Sequence, residues 1–476
     1  MAKLSDFLID PDVKVDPSKE KAFAEYIKRE GLEHEIITKE HYNDFLKRFV
    51  DVRGTITKDK PEANIEIVKS FKEPNRKRTI EDWIKYYNSK FEKLRSLLFA
   101  TRPELGEAIS IVNLKNKKDG EKVVLIGMIY DINTLFGRKR IILEDPTGVV
   151  TCYLKAEGEF LDELVPDEVI GVIGTKYRNG VTVNKVIFPD IPEKPLKKAK
   201  DDVYACYTSD IHVGSKMFLE DRFLKFIRWL RGEDGELASR KIAKKVKYLF
   251  IMGDNVDGVG VFPNQKKFLN IMSVEEQYKK LTEYLKMIPK DIQIIMIPGD
   301  HDATRLAEPQ PPIPEEFAGD LYSLDNLTLV SNPSMIVMHK TDDFEGYLNL
   351  IYHGNSVIPY IHDIPSLREK GMEKADWALH FLLRKRHIAP SHSQSRIAPT
   401  PDDYLFIDKV PDIFAIGHVH FCDVSKYKQT ITLTSSCWQN KTDRQEKLGL
   451  NPHPAVVPTF SLKDNRVIKV RFDNGL

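Results

Sequence analysis

Past residue 203 the chain alternates two hydrophobic patterns. Short, continuously apolar runs such as "KYLFIMGD" (247–254), "DIQIIMIPGD" (291–300), "LNLIYHG" (348–354) and "DIFAIGHVH" (412–420) predict strands. Between them, "FLEDRFLKFIRWLRG" (218–232), "SVEEQYKKLTEYLKMI" (273–288) and "SLREKGMEKADWALHFLLRKR" (366–386) carry apolar residues at helical spacing. With "VYACYTSDIH" (203–212) in front and "TITLTSS" (430–436) behind, the alternation predicts an α/β domain with a substantial sheet over 201–476. From about 118 to 190 the pattern is of strands alone. "EKVVLIGMIYDI", "GRKRIILEDPTGVVTCYL", "EVIGVIGTKYRNG" and "VTVNKVIFPD" are broken by Asp-Pro-Thr-Gly and Asn-Gly turns, as in a small antiparallel barrel.

The first hundred residues predict helices in two places. "DPSKEKAFAEYIKREG" (16–31) offers Asp16 as cap, Pro17 at the first helical position and Gly31 as stop. "TIEDWIKYYNSKFEKLRSLLFATRP" (79–103) places Ile80, Trp83, Ile84, Tyr87, Phe91, Leu94 and Leu98 on one side and ends before Pro103. That face is expected to pack on the chain's own domains. The segment "DKPEANIEIVKSFKEPNRKR" (59–78) reads as a polar, irregular linker. The organisation that follows is a polar N-terminal extension (1–74), a helical segment (75–117), the barrel (118–190), a Pro- and Lys-rich linker (191–200) and the α/β domain (201–476).

Composition narrows the context. Lys and Arg number 72 against 71 Asp and Glu, so a surface for a polyanion would have to be a local patch. The four cysteines, Cys152, Cys206, Cys422 and Cys437, form no C-x-x-C pair, which argues against a zinc knuckle or redox pair and for a reducing compartment. "MAKLSDFLIDPDVKVD" lacks a signal-peptide pattern and no apolar run reaches 18 residues, so a soluble, cytoplasmic chain with no membrane partner is expected.

The candidate chemistry lies at the strand ends: Asp210 and His212 in "SDIH", Asp254 in "IMGDNVDG", Asp300 and His301 in "PGDHD", His353 in "IYHGN", and His418 and His420 in "IGHVH". In an open α/β sheet, ligands bind at the carboxyl ends of strands. Asp210 to Asp254 is 44 residues and Asp254 to Asp300 is 46, which are crossover lengths, so five strand ends would deliver carboxylates and imidazoles to one rim. Oxygen and nitrogen donors without sulfur favour manganese, iron or zinc over soft-ligand sites, and the histidines argue against a site for magnesium alone. A carboxylate bridging two ions is the economical way to hold them close, and Asp254 stands in the middle of the set. The chemistry of such a pair is in-line hydrolysis of a phosphate ester.

In order, "DIH" (210–212), "GDNVD" (253–257), "GDHD" (299–302), "HG" (353–354) and "GHVH" (417–420) resemble the signature of calcineurin-like metallophosphoesterases. The run "LEDPTGVVTCYL" after "IGMIYD" resembles an OB-fold. An OB-fold ahead of a phosphoesterase, with a phrase such as "EDPTG", resembles the small, exonuclease subunits of archaeal family D DNA polymerases, over roughly residues 75 to 476. The resemblance implies a two-layered-sheet phosphoesterase domain behind a β-barrel and a small helical N-terminal segment. It implies two divalent ions, manganese first with iron, zinc or magnesium as alternatives. One would be held by Asp210, His212, Asp254 and His420, the other by Asp254, Asp300, His353 and His418. His301 would contact the scissile phosphate and assist the leaving oxygen. Asp300 stands where the family pattern has Asn. An ionised Asp has no donor to offer a phosphate and adds negative charge where an anion approaches, so metal binding would be kept while turnover falls.

The implied activity is 3′–5′ removal of single-stranded or mismatched DNA ends, in a heterodimer with a large polymerising subunit and with contact to the sliding clamp through the holoenzyme. Candidate DNA contacts are Arg305, Trp438, which could equally fill the core, and Asn440, the basic segments "LLRKRH" (382–387) and "WQNKTDRQEK" (438–447), which more often are plain solvated surface, and on the barrel Arg138, Lys139, Arg140 and Tyr153. The barrel equally suits packing on its neighbour domain or on a partner. Two rival readings stay open: a scaffold subunit without catalysis, and a phosphodiesterase for small substrates.

Overall fold

The structure, a computed structural model, describes residues 7–10, 13–15, 20–32, 36–43, 45, 62–72, 76–135, 138–154 and 160–473. Residues 1–62 and 63–476 form two compact units. In the first, helix α1 (Glu20–Arg29) buries Phe23 and Ile27 with Tyr42 and Phe45. Gly31 lies just past its end, while Asp16 and Pro17 lie outside the described residues.

The larger unit opens with a strand where an irregular linker was expected. β1 (Ile65–Ser70) pairs antiparallel with a strand of the α/β domain. Ile65, Ile67 and Val68 are interspersed with Glu66, Lys69 and Ser70 and none is fully buried, as suits an edge strand, so the strand gives no continuous apolar signal. Helix α2 (Ile80–Thr101) starts at Thr79, whose N–H donates to the Asp82 carboxylate at 2.9 Å, and Arg76 grips the same carboxylate at 2.7 and 2.8 Å. Its buried face is Tyr86, Phe91, Leu94 and Leu98; Ile80 and Ile84, expected on that face, are exposed.

The barrel follows: β2 (Lys122–Leu135), β3 (Arg138–Asp145), β4 (Gly148–Leu154), β5 (Val169–Tyr177) and β6 (Gly180–Ile187), closed in the order β2-β3-β4-β6-β5. The Asp145 carboxylate accepts the N–H groups of Thr147 and Gly148, which makes the expected tight turn. Along β2, Val123 and Leu125 fill the barrel while Val124, Ile126 and Met128 pack on Phe91, Leu94 and Leu98 of α2, so the strand is apolar on both sides for two different reasons.

Beyond the barrel two six-stranded sheets pack face to face. The first runs β10-β9-β8-β7-β16-β17, built from β7 (Tyr204–Thr208), β8 (Val246–Met252), β9 (Gln293–Ile297), β10 (Leu327–Leu329), β16 (Val456–Ser461) and β17 (Arg466–Arg471). The second runs β1-β11-β12-β13-β15-β14, with β11 (Ser334–Met338), β12 (Tyr347–Tyr352), β13 (Ile413–Ile416), β14 (Asp423–Tyr427) and β15 (Thr430–Thr434). Along β8, Tyr248, Phe250 and Met252 enter the layer between the sheets. Leu249 and Ile251 face the other way, onto α3 (Glu220–Leu230) and α4 (Val274–Leu285). The outer face of the second sheet is covered by α5 (Asp376–Lys385) and its neighbours through Leu379, Leu382, Phe414 and Ile416. The single helix expected over 366–386 is in fact two, Pro365–Lys370 and α5, interrupted at Gly371.

Candidate metal centre

Asp210 and His212 follow β7, Asp254 follows β8, and Asp300 and His301 follow β9, all in the first sheet. His353 follows β12 and both His418 and His420 follow β13 in the second. The rim is therefore where the ends of two layers meet. Asp254, Asp300, His353 and His418 bring donor atoms within 4.8 Å of one another; Asp210, His212 and His420 form a second such group, and His212, Asp257 and His301 a third. Asp254 faces the first two with different oxygens, Oδ1 at 3.4 Å from His353 Nε2 and Oδ2 at 3.7 Å from His212 Nε2. Asp300 Oδ1 lies 3.0 Å from His353 Nε2 and 3.4 Å from His418 Nδ1.

The backbone is bent to achieve this. Asp210, His212, Asp254, His418 and His420 all have positive φ, between +50° and +68°, a region that disfavours residues with a Cβ by about 1–2 kcal/mol each. Compensating hydrogen bonds hold them: Asp210 N–H to Gly253 O at 2.9 Å, His212 N–H to Asp254 O at 3.0 Å, His418 N–H to Asp210 Oδ2 at 2.9 Å and His301 N–H to Asp254 Oδ1 at 2.9 Å. Gly299 is required by close approach, because a Cβ there would lie 2.2 Å from Asp254 Oδ1.

Neighbours set the imidazole orientations. His353 Nδ1–H donates to Met252 O at 2.8 Å, which turns Nε2 toward Asp254 and Asp300. His212 Nδ1 is 3.1 Å from the Asp257 carboxylate, and His301 Nδ1–H donates to Asp257 O at 2.8 Å. Asp257 is held in turn by Gln265, and Gln445 reaches His420 Nδ1 at 3.0 Å. Sequence reasoning misses these supports. Asp257 is visible as the second acid of "GDNVD", but nothing marks Gln445, 25 residues from its partner. Burial disfavours charge on His353, yet the Asp254 and Asp300 carboxylates outweigh it and raise its pKa well above the ordinary imidazole range. Burial likewise opposes the charge on Asp300, and the surrounding imidazoles hold its pKa well below the usual carboxylate range. Asp302 is different: its carboxylate accepts Gly299 N–H, Asn255 and Tyr278 OH, and burial, then Asp254, push it up to about 6. Of the row Asp300, His301, Asp302, only the first is a candidate ligand of the paired clusters; the last is a strut.

Among the candidate DNA contacts, Trp438 and the basic residues of "LLRKRH" are corrected by their burial. Trp438 is fully buried, stacked on Phe226 with its Nε1–H donated to Thr208 at 2.7 Å, so it fills the core and cannot meet a base. Arg305 donates to the carbonyls of Ala307 and Pro309 and lies over Phe71. Asn440 is exposed, its backbone bonded to Met217 O. In "LLRKRH", Arg384, Lys385 and Arg386 are buried. Arg384 pairs with Glu163, Lys385 with Glu168 at 2.6 Å, and Arg386 donates to Ile407 O and Asp408 O, so this stretch joins α5 to the barrel side rather than facing solvent. On the barrel, Lys139 is tied to Leu161 O and Arg140 to Asn133, Tyr153 is exposed, and the Arg138 side chain lies outside the described residues.

The residues fit cations. Asp210 Oδ1 and His212 Nε2 are buried without any hydrogen-bond partner, and such orphans cost roughly 1–3 kcal/mol each unless something fills the gap between them. The donors are carboxylate oxygen and imidazole nitrogen, the set for borderline divalent metals. A double-sheet sandwich with two Asp/His clusters around a shared carboxylate defines a metallophosphoesterase-type core, suited to metal-dependent hydrolysis. The family model for the B-subunits of DNA polymerases alpha and epsilon matches residues 208–423. The DNA polymerase II small subunit of Methanothermobacter thermautotrophicus is 38% identical over 389 residues, covering 80% of this chain and 78% of that protein. That of Archaeoglobus fulgidus is 36% identical over 453 residues, covering 92% and 89%. The chain belongs to the family of archaeal DNA polymerase II small subunits. All four cysteines are free and buried, and among the described residues no helix is long and apolar enough to cross a membrane.

Proposed function

We propose that this chain is the 3′–5′ exonuclease subunit of a heterodimeric archaeal DNA polymerase, acting in the cytoplasm on single-stranded or mismatched 3′ ends with two divalent ions, manganese first among them. The observation that carries the proposal is the Asp254 carboxylate, whose two oxygens face two separate Asp/His clusters. Bound ions would supply electrophilic stabilisation of the phosphoryl oxygens and activation of the attacking water.

The chain's own residues do the rest. Asp254 sets the spacing of the two clusters, and Asp257 orients His212 through Nδ1. His301, anchored by Nδ1–H on Asp257 O, leaves Nε2 free to hold a proton for the departing 3′ oxygen. Asp300 serves as a ligand but brings negative charge to the mouth of the site. A large polymerising subunit is the proposed partner, with the clamp reached through the assembled enzyme.

The test is manganese-dependent release of nucleotides from a 5′-labelled primer with a mismatched 3′ end. It compares the chain with Asp300→Asn, each alone and with the large subunit. Faster release by Asp300→Asn, roughly tenfold or more, is expected. Binding of the large subunit without cleavage by either form would leave a scaffold.

A further inference from the structure

The segment between Asp257 and α4 exposes a run of apolar side chains. Residues 258–272, "GVGVFPNQKKFLNIM", contain two lysines and no acid, and Val259, Val261, Phe262, Phe268 and Met272 are all exposed. Phe262 and Phe268 are 40% and 36% exposed, and they are two of only three exposed phenylalanines among the described residues. Their rings are not isolated. His212 and His301 lie 4.8 Å apart, His301 and Phe262 6.3 Å, and Phe262 and Phe268 6.2 Å, so one file of rings runs from the metal centre to solvent.

The base of the segment is rigid. Gln277 accepts Gly258 N–H at 2.8 Å; buried Gln265 accepts Val261 N–H at 2.8 Å and donates to Asp257 at 2.8 and 3.0 Å. Gly258, at φ +71°, lets the chain leave against His301, where a Cβ would lie 2.3 Å from the carbonyl oxygen of His301. The scaffold that orients His212 and His301 therefore also fixes the exposed rings.

We propose that Phe262 and Phe268 form a stacking platform for the unpaired terminal bases of the strand whose phosphodiester lies on the metal centre, with Lys266 and Lys267 beside its backbone. This rests on the centre acting on nucleic acid. The occupant follows from position and charge: the rings continue directly from His301, and the segment has positive charge with no acid. Base–aromatic stacking tolerates any sequence and strengthens binding per base. A paired end keeps its bases in the duplex stack and exposes only the outermost face, so a platform of two rings would favour frayed ends.

The test is equilibrium binding, by fluorescence anisotropy in calcium, of an oligothymidylate and of the same oligomer with three abasic 3′-terminal residues, to the full chain, Phe262→Ala and Phe262→Trp. The chain should prefer the base-bearing strand by about tenfold or more. Phe262→Ala should weaken that strand alone and erase the preference, and Phe262→Trp should restore it. Equal affinity for both strands in the unaltered chain, or an unchanged preference in Phe262→Ala, overturns the platform. An unchanged preference with weaker assembly with the large subunit would make the patch a protein interface, again against the proposal. Hydrolysis of the same strands in manganese by the Asp300→Asn form separates the two ideas: base preference without hydrolysis by that form sinks the nuclease and leaves the platform, whereas hydrolysis without preference does the reverse.

Discussion

The metal rim and the junction between α5 and the barrel both bury many charged groups, and they do so in opposite ways. At the junction Glu163 faces Arg384, Glu168 faces Lys385, and Asp403 faces His387 at 2.9 Å, while Lys90 donates to Pro390 O. At the rim the ion-pairing partners of Asp210, Asp254, Asp257 and Asp300 are all imidazoles; among the described residues no lysine or arginine pairs with them. The junction is balanced by its own side chains. The rim has only imidazoles opposite its carboxylates, leaves Asp210 Oδ1 and His212 Nε2 without hydrogen bonds, and holds five residues at positive φ. Buried charge by itself does not mark a site; buried charge left for a cation, on a strained backbone, does.

The largest expected effect falls on the rim alone. A chelator, or Asp254→Asn, should lower nucleotide release by at least about a hundredfold while barrel and sandwich stay folded by circular dichroism. Loss of the fold on chelation would make the rim structural. At the junction Lys385→Met should leave Glu168 buried and unpaired and destabilise the unit by roughly 3–5 kcal/mol in urea unfolding, with metal affinity unchanged in the folded fraction. The double change Lys385→Met with Glu168→Leu should regain most of that stability, which an active role for the pair would not allow.

His380 sharpens the comparison, being a buried imidazole with hydroxyl neighbours, Ser425 and Thr432 at 2.9 and 3.0 Å, and no carboxylate in hydrogen-bond contact. Burial, aided by Arg384, pushes its pKa down to about 4, the reverse of His353. The folded state therefore keeps it neutral where the unfolded state is protonated. Its stability contribution is complete above pH ~6.5 and is lost as pH falls toward 4, up to about 3 kcal/mol. His380→Gln should flatten unfolding free energy against pH in that window; an unchanged slope would show that His380 is not the titrating group. The smallest effect is expected from Asp257→Asn, which leaves every paired-cluster ligand in place but loosens His212. Manganese affinity measured by calorimetry should fall by about 10–100-fold.

Much of the site was legible along the chain because catalytic chemistry of this kind draws on residues just past apolar strands, and β7, β8, β9, β12 and β13 are buried on both faces and so read as unbroken apolar runs. The candidate ligand types, their order and their place at strand ends followed from local pattern alone. β1, β14 and β17 were not legible, since half-exposed strands at or near sheet edges carry too few apolar positions to stand out. The basic stretch at 382–387 misled for a related reason: composition counts charges but cannot tell a solvated lysine from one buried against Glu168.

The order of residues alone was enough to show which side chains can ligate, that the barrel precedes the α/β domain, and that the strands alternate with helices. It took the assembled fold to show that the candidate ligands come from two different sheets, that Asp254 faces both clusters, that Trp438 is core, and that Phe262 lies against His301. The reason is range. Periodicity and turn chemistry act over a few residues, whereas these facts depend on which strand ends meet across the layer between the sheets, over separations of tens to hundreds of residues along the chain.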